Sequence, residues 1–440
     1  TPTCAAGRRR GENARRMSNI GVQKSRQCTF RAETAQFSRH FHHTGARGIG
    51  KAGKGALSHL HPQHLGSTVL RALADRTGID TADVDDVIWG TSSQVCEQGG
   101  DLGRMSALDA GYDIRASGVT LDRFCGSGIT SANLAAQAVL SGMEDLVVSG
   151  GTEMMSLPKK GVLPMGANNP HLQELHPQSH QGVCADAIAT LEGISRETLD
   201  ELAALSQSRA QRAIEEGRFD RSVVPVYNAD GTIALDREEF PRPGTTVESL
   251  SSLQPSFPKV ADYRHTEDSK TFRELINQKY TDLDIKHVHH AGNSSGVVDG
   301  SAAILWASAG YAKAQGLKAR ARVVACANMG DCPTLMLNAP VPAAHKVLQK
   351  AGLTINDIDV WEINEAFAVV SEKFQRDLNL DREKVNINGA AMALGHPIGA
   401  TGAMLIGTAL DELERCDGQF ALITMCAGGG MAPAIIIERV

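Results

Sequence analysis

The chain has 440 residues, a formal net charge of −6, 42% apolar residues and 44 glycines. That length exceeds one ordinary core and implies two domains or a duplicated one, while the acidic balance argues against nucleic acid as a partner. No apolar run approaches the ~20 residues that cross a bilayer, and nine cysteines without paired or metal-type spacing read as reduced intracellular thiols.

The first 50 residues carry nine Arg and one Lys against only Glu12 and Glu33. Residues 1–46 therefore read as a transit peptide or a disordered basic extension, which implies a mitochondrial matrix location or otherwise a cytoplasmic one. Phe37 to His43 and Arg47 to Gly50 give only a weak strand signal. A helix is expected from Leu65 to Thr77, then Gly78-Ile79-Asp80-Thr81-Ala82-Asp83-Val84-Asp85 and an apolar strand, Val87 to Trp89. The same order recurs: a helix from Ala343 to Ala351, then Gly352-Leu353-Thr354-Ile355-Asn356-Asp357-Ile358-Asp359, then a strand from Val360 to Ile363.

Cys125 follows Asp85 by 40 residues and opens a small-residue helix, Ile129 to Leu140; His396 follows Asp359 by 37 and opens another. A strand ending in glycines comes next in each copy, Leu146 to Gly151 and Ala421 to Gly430. Two βα units of like build place Cys125 and His396 face to face. A helix N-terminus also favours thiolate over thiol at Cys125.

Between the copies, residues 157–286 change character, with proline-bearing loops and a charged helix from Arg196 to Glu216 patterned for one buried face. A strand from Val288 to Ala291 and a helix from Gly300 to Ala312 are expected to return to the first half. His287, His289 and His290 alternate along that strand with no carboxylate partner in view, so no metal site is expected. Taken singly, His396 closes a loop, Asn364 ties a turn and Cys426 fills core. Spacing and duplication together favour a site.

Five runs resemble the thiolase family in order and spacing: Asp122 to Gly128, Ala291 to Gly296, Asn364 to Ala368, Asn388 to Gly402 and Cys426 to Gly430. The likeness extends from about residue 50 to Val440. It implies a layered α-β-α-β-α fold of two βαβαβαββ halves: residues 47–156 with 287–311, and residues 312–440. Residues 157–286 would form a loop domain over the site. One departure stands out, since thiolases begin with an apolar strand running into an Arg-Thr-Pro turn. Either another segment takes that strand position here or the N-terminus is mis-assembled.

The resemblance implies CoA-dependent cleavage of 3-ketoacyl-CoA, as in fatty acid β-oxidation. Cys125 would be the nucleophile, His396 its base and an oxyanion donor, and Cys426 the acid. Asn364 would hold a water in one oxyanion site, and backbone N–H groups of Cys125 and Gly428 would form the other. Ser295 and Gly296 would meet the pantetheine arm, with Met165 and Phe367 as further substrate contacts. Read from the residues, Met154, Met155, Leu157, Leu163 and Met165 either line an acyl tunnel or pack in core or lid, and Lys159 and Lys160 either meet CoA phosphates or form a solvated loop pair. The resemblance implies no cofactor beyond coenzyme A as substrate, and a homodimer or homotetramer. Acetoacetyl-CoA synthesis and an idle scaffold subunit are the alternatives. A decarboxylating ketoacyl synthase is disfavoured, because those enzymes lack the second cysteine.

Overall fold

The computed structural model describes residues 40–42, 48–157, 165 and 169–440. The basic N-terminal segment, except for 40–42, lies outside the described residues, as do Lys159, Lys160 and Leu163. The strands are β1 (His40–His42), β2 (Gly48–Lys51), β3 (Asp86–Gly90), β4 (Val119–Leu121), β5 (Leu146–Met154), β6 (Val226–Tyr227) and β7 (Ile233–Leu235). They continue with β8 (Val298–Ala307), β9 (Ala321–Gly330), β10 (Val360–Ile363), β11 (Phe420–Thr424) and β12 (Met431–Arg439). Ten of these form one mixed sheet in the order β10-β11-β12-β9-β1-β8-β5-β3-β4, with β2 also on β8; β6 and β7 pair separately.

The duplication holds strand by strand. In the first half β3 is parallel to β4 and β5, and β8 is antiparallel to β5. In the second, β10 is parallel to β11, β12 is antiparallel to β11 and β9, and Val385 bridges Trp361 where β4 stands in the first half. It also holds at atomic detail. Asp85 Oδ2 accepts from the N–H groups of Asp145 (2.7 Å) and Leu146 (3.0 Å), and Asp359 Oδ2 accepts from those of Gln419 (2.7 Å) and Phe420 (3.1 Å). Each aspartate thereby satisfies two backbone donors where the next strand of its half begins.

Strand residues alternate between two cores, as a period of two requires. Val147, Ile304, Ile423 and Ile435 face a central core shared with the helices Ser127–Ser141 and Ile398–Cys416. Their neighbours Leu146, Val148 and Leu305 pack outward with Val69, Leu70 and Leu73 of the helix Pro62–Thr77. Leu422 and Ile436 pack outward with Val347 and Leu348 of the helix Pro340–Ala351. The layers are thus helix, sheet, paired helices, sheet, helix.

Three expectations need correction. First, β1 lies within the 1–46 segment, so the sheet starts before residue 47. His40 pairs with Ala307, and Gly48 with Ser301, so the two short strands supply the N-terminal strand position. Second, the stretch expected as a helix from Gly300 to Ala312 is strand β8, and only Ala309–Ala314 is helical. Every residue of β8 is buried, so its sequence shows no in–out alternation to separate strand from helix. Third, residues 288–291 are irregular, and their histidines do have carboxylate partners. His287 Nδ1 and His289 Nδ1 lie 2.6 and 2.8 Å from Asp186, and His290 Nε2 lies 2.8 Å from Asp200. Both aspartates come from the inserted segment, on the helices Gln181–Leu191 and Arg196–Glu215. No group of three or more potential ligands able to hold a metal is found among the described residues.

Candidate active site

Cys125 sits at the turn between β4 and the helix Ser127–Ser141. Phe124, just before it, has φ +50°, a left-handed conformation that costs a bulky residue ~1–3 kcal/mol. Two bonds hold it there: its N–H donates to Asp122 Oδ1 (2.6 Å), and its carbonyl accepts from Ser127 Oγ (2.7 Å). The turn leaves Cys125 half-buried, lining a cavity of about 880 Å³. Gly428 and Met165 line the same cavity. A Cβ on Gly428 would stand 2.8 Å from the Phe124 ring and 3.0 Å from the Met165 sulfur, so any larger residue must push one of them aside. The inserted segment supplies much of the remaining wall, including Gln181, His265, Lys270 and Phe272.

His396, Asn364 and Cys426 are buried. His396 stands between the short helix Ala391–Leu394 and the helix Ile398–Cys416, and its N–H donates to the carbonyl of Gly296 (3.0 Å). Its Nδ1 is 2.6 Å from Thr401 Oγ1, and its Nε2 is 3.4 Å from Asn364 Nδ2. Burial pulls its pKa down to about 4, so the imidazole is neutral at pH 7. Asn364 Oδ1 is buried and accepts no hydrogen bond from the described residues. Burial, and then the charge of the Cys125 thiolate, push the Cys426 thiol far above its ordinary pKa and keep it protonated. The fold thus holds a neutral imidazole, a protonated buried thiol and a half-buried cysteine on a cavity wall.

The helices that carry Cys125 and His396 meet at their first turns. A Cβ on Gly128 would lie 2.8 Å from the Gly402 nitrogen, and one on Gly402 would lie 2.1 Å from the Ile129 nitrogen. The absence of side chains there lets the two N-termini approach each other.

Ser295, Gly296 and Phe367, expected to meet substrate, do not line the cavity at Cys125, and neither do His396, Asn364 and Cys426. Phe367 is buried, edge-on to Phe257 and His289 at 5.9 and 5.7 Å. The Ser295 N–H donates to the Ala366 carbonyl (3.0 Å) and that of Gly296 to the Ala391 carbonyl (3.1 Å). These contacts help hold the loops beside His396.

Sequence reasoning missed two supporting residues. Glu153, buried at the end of β5, accepts from the N–H groups of Ser92 (2.8 Å) and Gly399 (3.0 Å) and from Gln98 Nε2 (2.9 Å). It thereby anchors the first turn of the His396 helix to the first half. An acid inside an apolar strand was the available signal. Thr401 gave no signal, because a threonine one turn into a helix is ordinary.

Comparison with known proteins gives the family and the fold. The thiolase N-terminal domain family matches residues 44–262, and the thiolase C-terminal domain family matches residues 317–439. The steroid 3-ketoacyl-CoA thiolase FadA6 of Mycobacterium tuberculosis is 39% identical over 403 residues, covering 89% of this chain and 91% of that protein. A 3-ketoacyl-CoA thiolase of Erwinia tasmaniensis is 38% identical over 408 residues, covering 89% and 97%. The crystal structure of the Bacillus anthracis acetyl-CoA acetyltransferase superposes with a TM-score of 0.77 at 32% identity, covering 92% of this chain and all of that one. The chain belongs to the thiolase family of acyltransferases.

Proposed function

We propose that the protein cleaves 3-ketoacyl-CoA with coenzyme A, giving acetyl-CoA and a shortened acyl-CoA. The observation that carries this reading is the half-exposed Cys125 on the cavity wall, with a buried neutral His396 paired to Asn364 and a buried protonated Cys426 behind it. His396 Nε2 takes the Cys125 proton, and the sulfur attacks the ketone carbon. The carbonyl electron pair moves to oxygen, facing the backbone N–H groups of Cys125 and Gly428. Collapse restores the carbonyl and breaks the carbon–carbon bond, sending its electron pair into the thioester as an enolate. The enolate oxygen is held by His396 Nε2–H and by a water on Asn364, and the enolate carbon takes the Cys426 proton. Incoming coenzyme A gives its thiol proton to Cys426, and its sulfur displaces the acyl group from Cys125. The displaced thiolate then recovers its proton from His396.

The cavity of about 880 Å³, with Phe272, Leu275, Met336 and Ile398 in its wall, favours an acyl chain longer than acetyl and hence the degradative direction. Assembly as a homodimer or homotetramer is carried over from the family alone, and a sedimentation mass tests it. A mitochondrial location rests only on the composition of residues 1–46; the relatives reported above are bacterial and give it no support.

The test is CoA-dependent cleavage of acetoacetyl-CoA and of a longer 3-ketoacyl-CoA by the full chain, with Cys125→Ala as control. The full chain is used because β1 pairs within the sheet. Faster cleavage of the longer substrate by the parent, and none by the variant, is expected. A preference for acetoacetyl-CoA would move the assignment to the biosynthetic subclass. No cleavage by folded parent would leave the scaffold role.

A further inference from the structure

We infer that Thr401 is a positioning residue: its hydroxyl fixes His396 as the tautomer protonated on Nδ1, leaving Nε2 bare to take the Cys125 proton. The inference rests on the thiolase reading above and adds a residue to it.

A threonine hydroxyl has one proton to give and can accept as well. Thr401 Oγ1 lies 3.1 Å from the carbonyl oxygen of Pro397 and 2.6 Å from His396 Nδ1. The carbonyl can only accept, and the back-bond common to helical threonines gives it the hydroxyl proton. Oγ1 is then an acceptor toward His396, and the proton between them belongs to Nδ1. The other side of the ring agrees. Asn364 turns its amide nitrogen, a donor, toward Nε2 at 3.4 Å, which suits a lone pair there and opposes a second N–H.

Pro397 anchors the arrangement. Its carbonyl also accepts from the N–H groups of Ala400 (2.8 Å) and Thr401 (3.1 Å), so it is fixed in the first helical turn. The group on His396 Nδ1 is a neutral hydroxyl rather than a carboxylate, so nothing there holds the ring as a cation between turnovers. The same geometry serves the protonated state. When Nε2 takes a proton from sulfur, the Nδ1–H bond to Thr401 is unchanged; the Asn364 amide gives up its contact with Nε2, and the new Nε2–H donates to an oxyanion. One fixed tautomer therefore supplies both the base and the donor, without rotation of the ring or the hydroxyl.

The test uses ¹⁵N-histidine NMR on the parent protein, with the His396 signals identified by their loss in His396→Asn. The parent is expected to show a protonated Nδ1 and a bare Nε2 at pH 7. A protonated Nε2 in the parent would overturn the inference, and this reading needs no turnover. Failure of the thiolase reading would appear separately, as absence of cleavage by the parent. Kinetics supply the second arm. Thr401→Val is expected to lower kcat by roughly 10–100-fold with KM within about twofold, and Thr401→Ser to stay within about threefold of the parent. A Thr401→Val protein with the parent's tautomer and kcat would overturn the inference.

Discussion

The two halves of the molecule repeat each other closely at one end of their sheets and differ at the other. At the Asp85 and Asp359 ends, the same carboxylate oxygen accepts from two N–H groups at the start of the neighbouring strand, with distances that agree within 0.1 Å. Where the central helices begin, the first half offers a half-exposed thiol behind the left-handed Phe124, and the second a buried imidazole behind Pro397. Stability needs the same strand-end bonds in both halves. Chemistry needs one group that substrate can reach and another kept neutral by burial. Duplication therefore supplied two equivalent helix N-termini, and the local turns made them different.

Changing those two helix starts gives the largest expected effects. Cys125→Ala and His396→Asn should each lower kcat for cleavage by roughly 10³-fold or more, read by steady-state kinetics. Their effects on stability should part company. The His396 pKa of about 4 lies below its ordinary 6.5, so the unfolded chain binds this proton first as pH falls. The contribution is whole above pH 6.5 and is lost as pH drops toward 4, a change of about 3 kcal/mol. Urea denaturation at pH 7 and pH 4.5 should show this loss in the parent and in Cys125→Ala, and a shallower one in His396→Asn. An equal loss in all three would break the contrast between exposed thiol and buried imidazole.

Cys426→Ser should slow exchange of the acetyl-CoA methyl protons with D₂O by roughly 100-fold, since that exchange runs through the enolate carbon. Exchange at the parent rate would remove Cys426 from the acid role. A smaller effect, about tenfold in kcat/KM, is expected for Gly428→Ala, because the added Cβ meets Phe124 and Met165 across the substrate path. The smallest effect sharpens the other side of the comparison. Asp85→Ala and Asp359→Ala should each cost about 1 kcal/mol in urea denaturation, with nearly equal values. Unequal values would mean that the two strand-end bonds, alike in geometry, are not alike in energy.

Much was legible in the sequence because it depends on local or repeated pattern. The two Gly-to-Asp segments predicted the duplication, and glycine-bounded small-residue helices placed Cys125 and His396 at paired N-termini. The helix from Arg196 was readable from one apolar face. Strand β8 was not, since a run buried on both sides has lost its alternation. Nor was the place of His40–His42 in the sheet, because its weak strand signal is overridden by the ready partners on β8. The carboxylates of His287, His289 and His290 come from residues about 90 to 100 positions upstream, a pairing that only folding makes.

The sequence by itself singled out the candidate groups, two thiols, an imidazole and an amide in spaced motifs, and the family they belong to. Tertiary structure decided their states. Burial makes His396 neutral and keeps Cys426 protonated, Glu153 ties the histidine helix to the opposite half, and Thr401 meets a ring nitrogen five residues back in the chain. It also packs the Phe367 ring against Phe257 and ties the Gly296 N–H to the Ala391 carbonyl. The physical reason is that a residue's identity is local, whereas its solvation and hydrogen-bond partners belong to everything the fold brings around it.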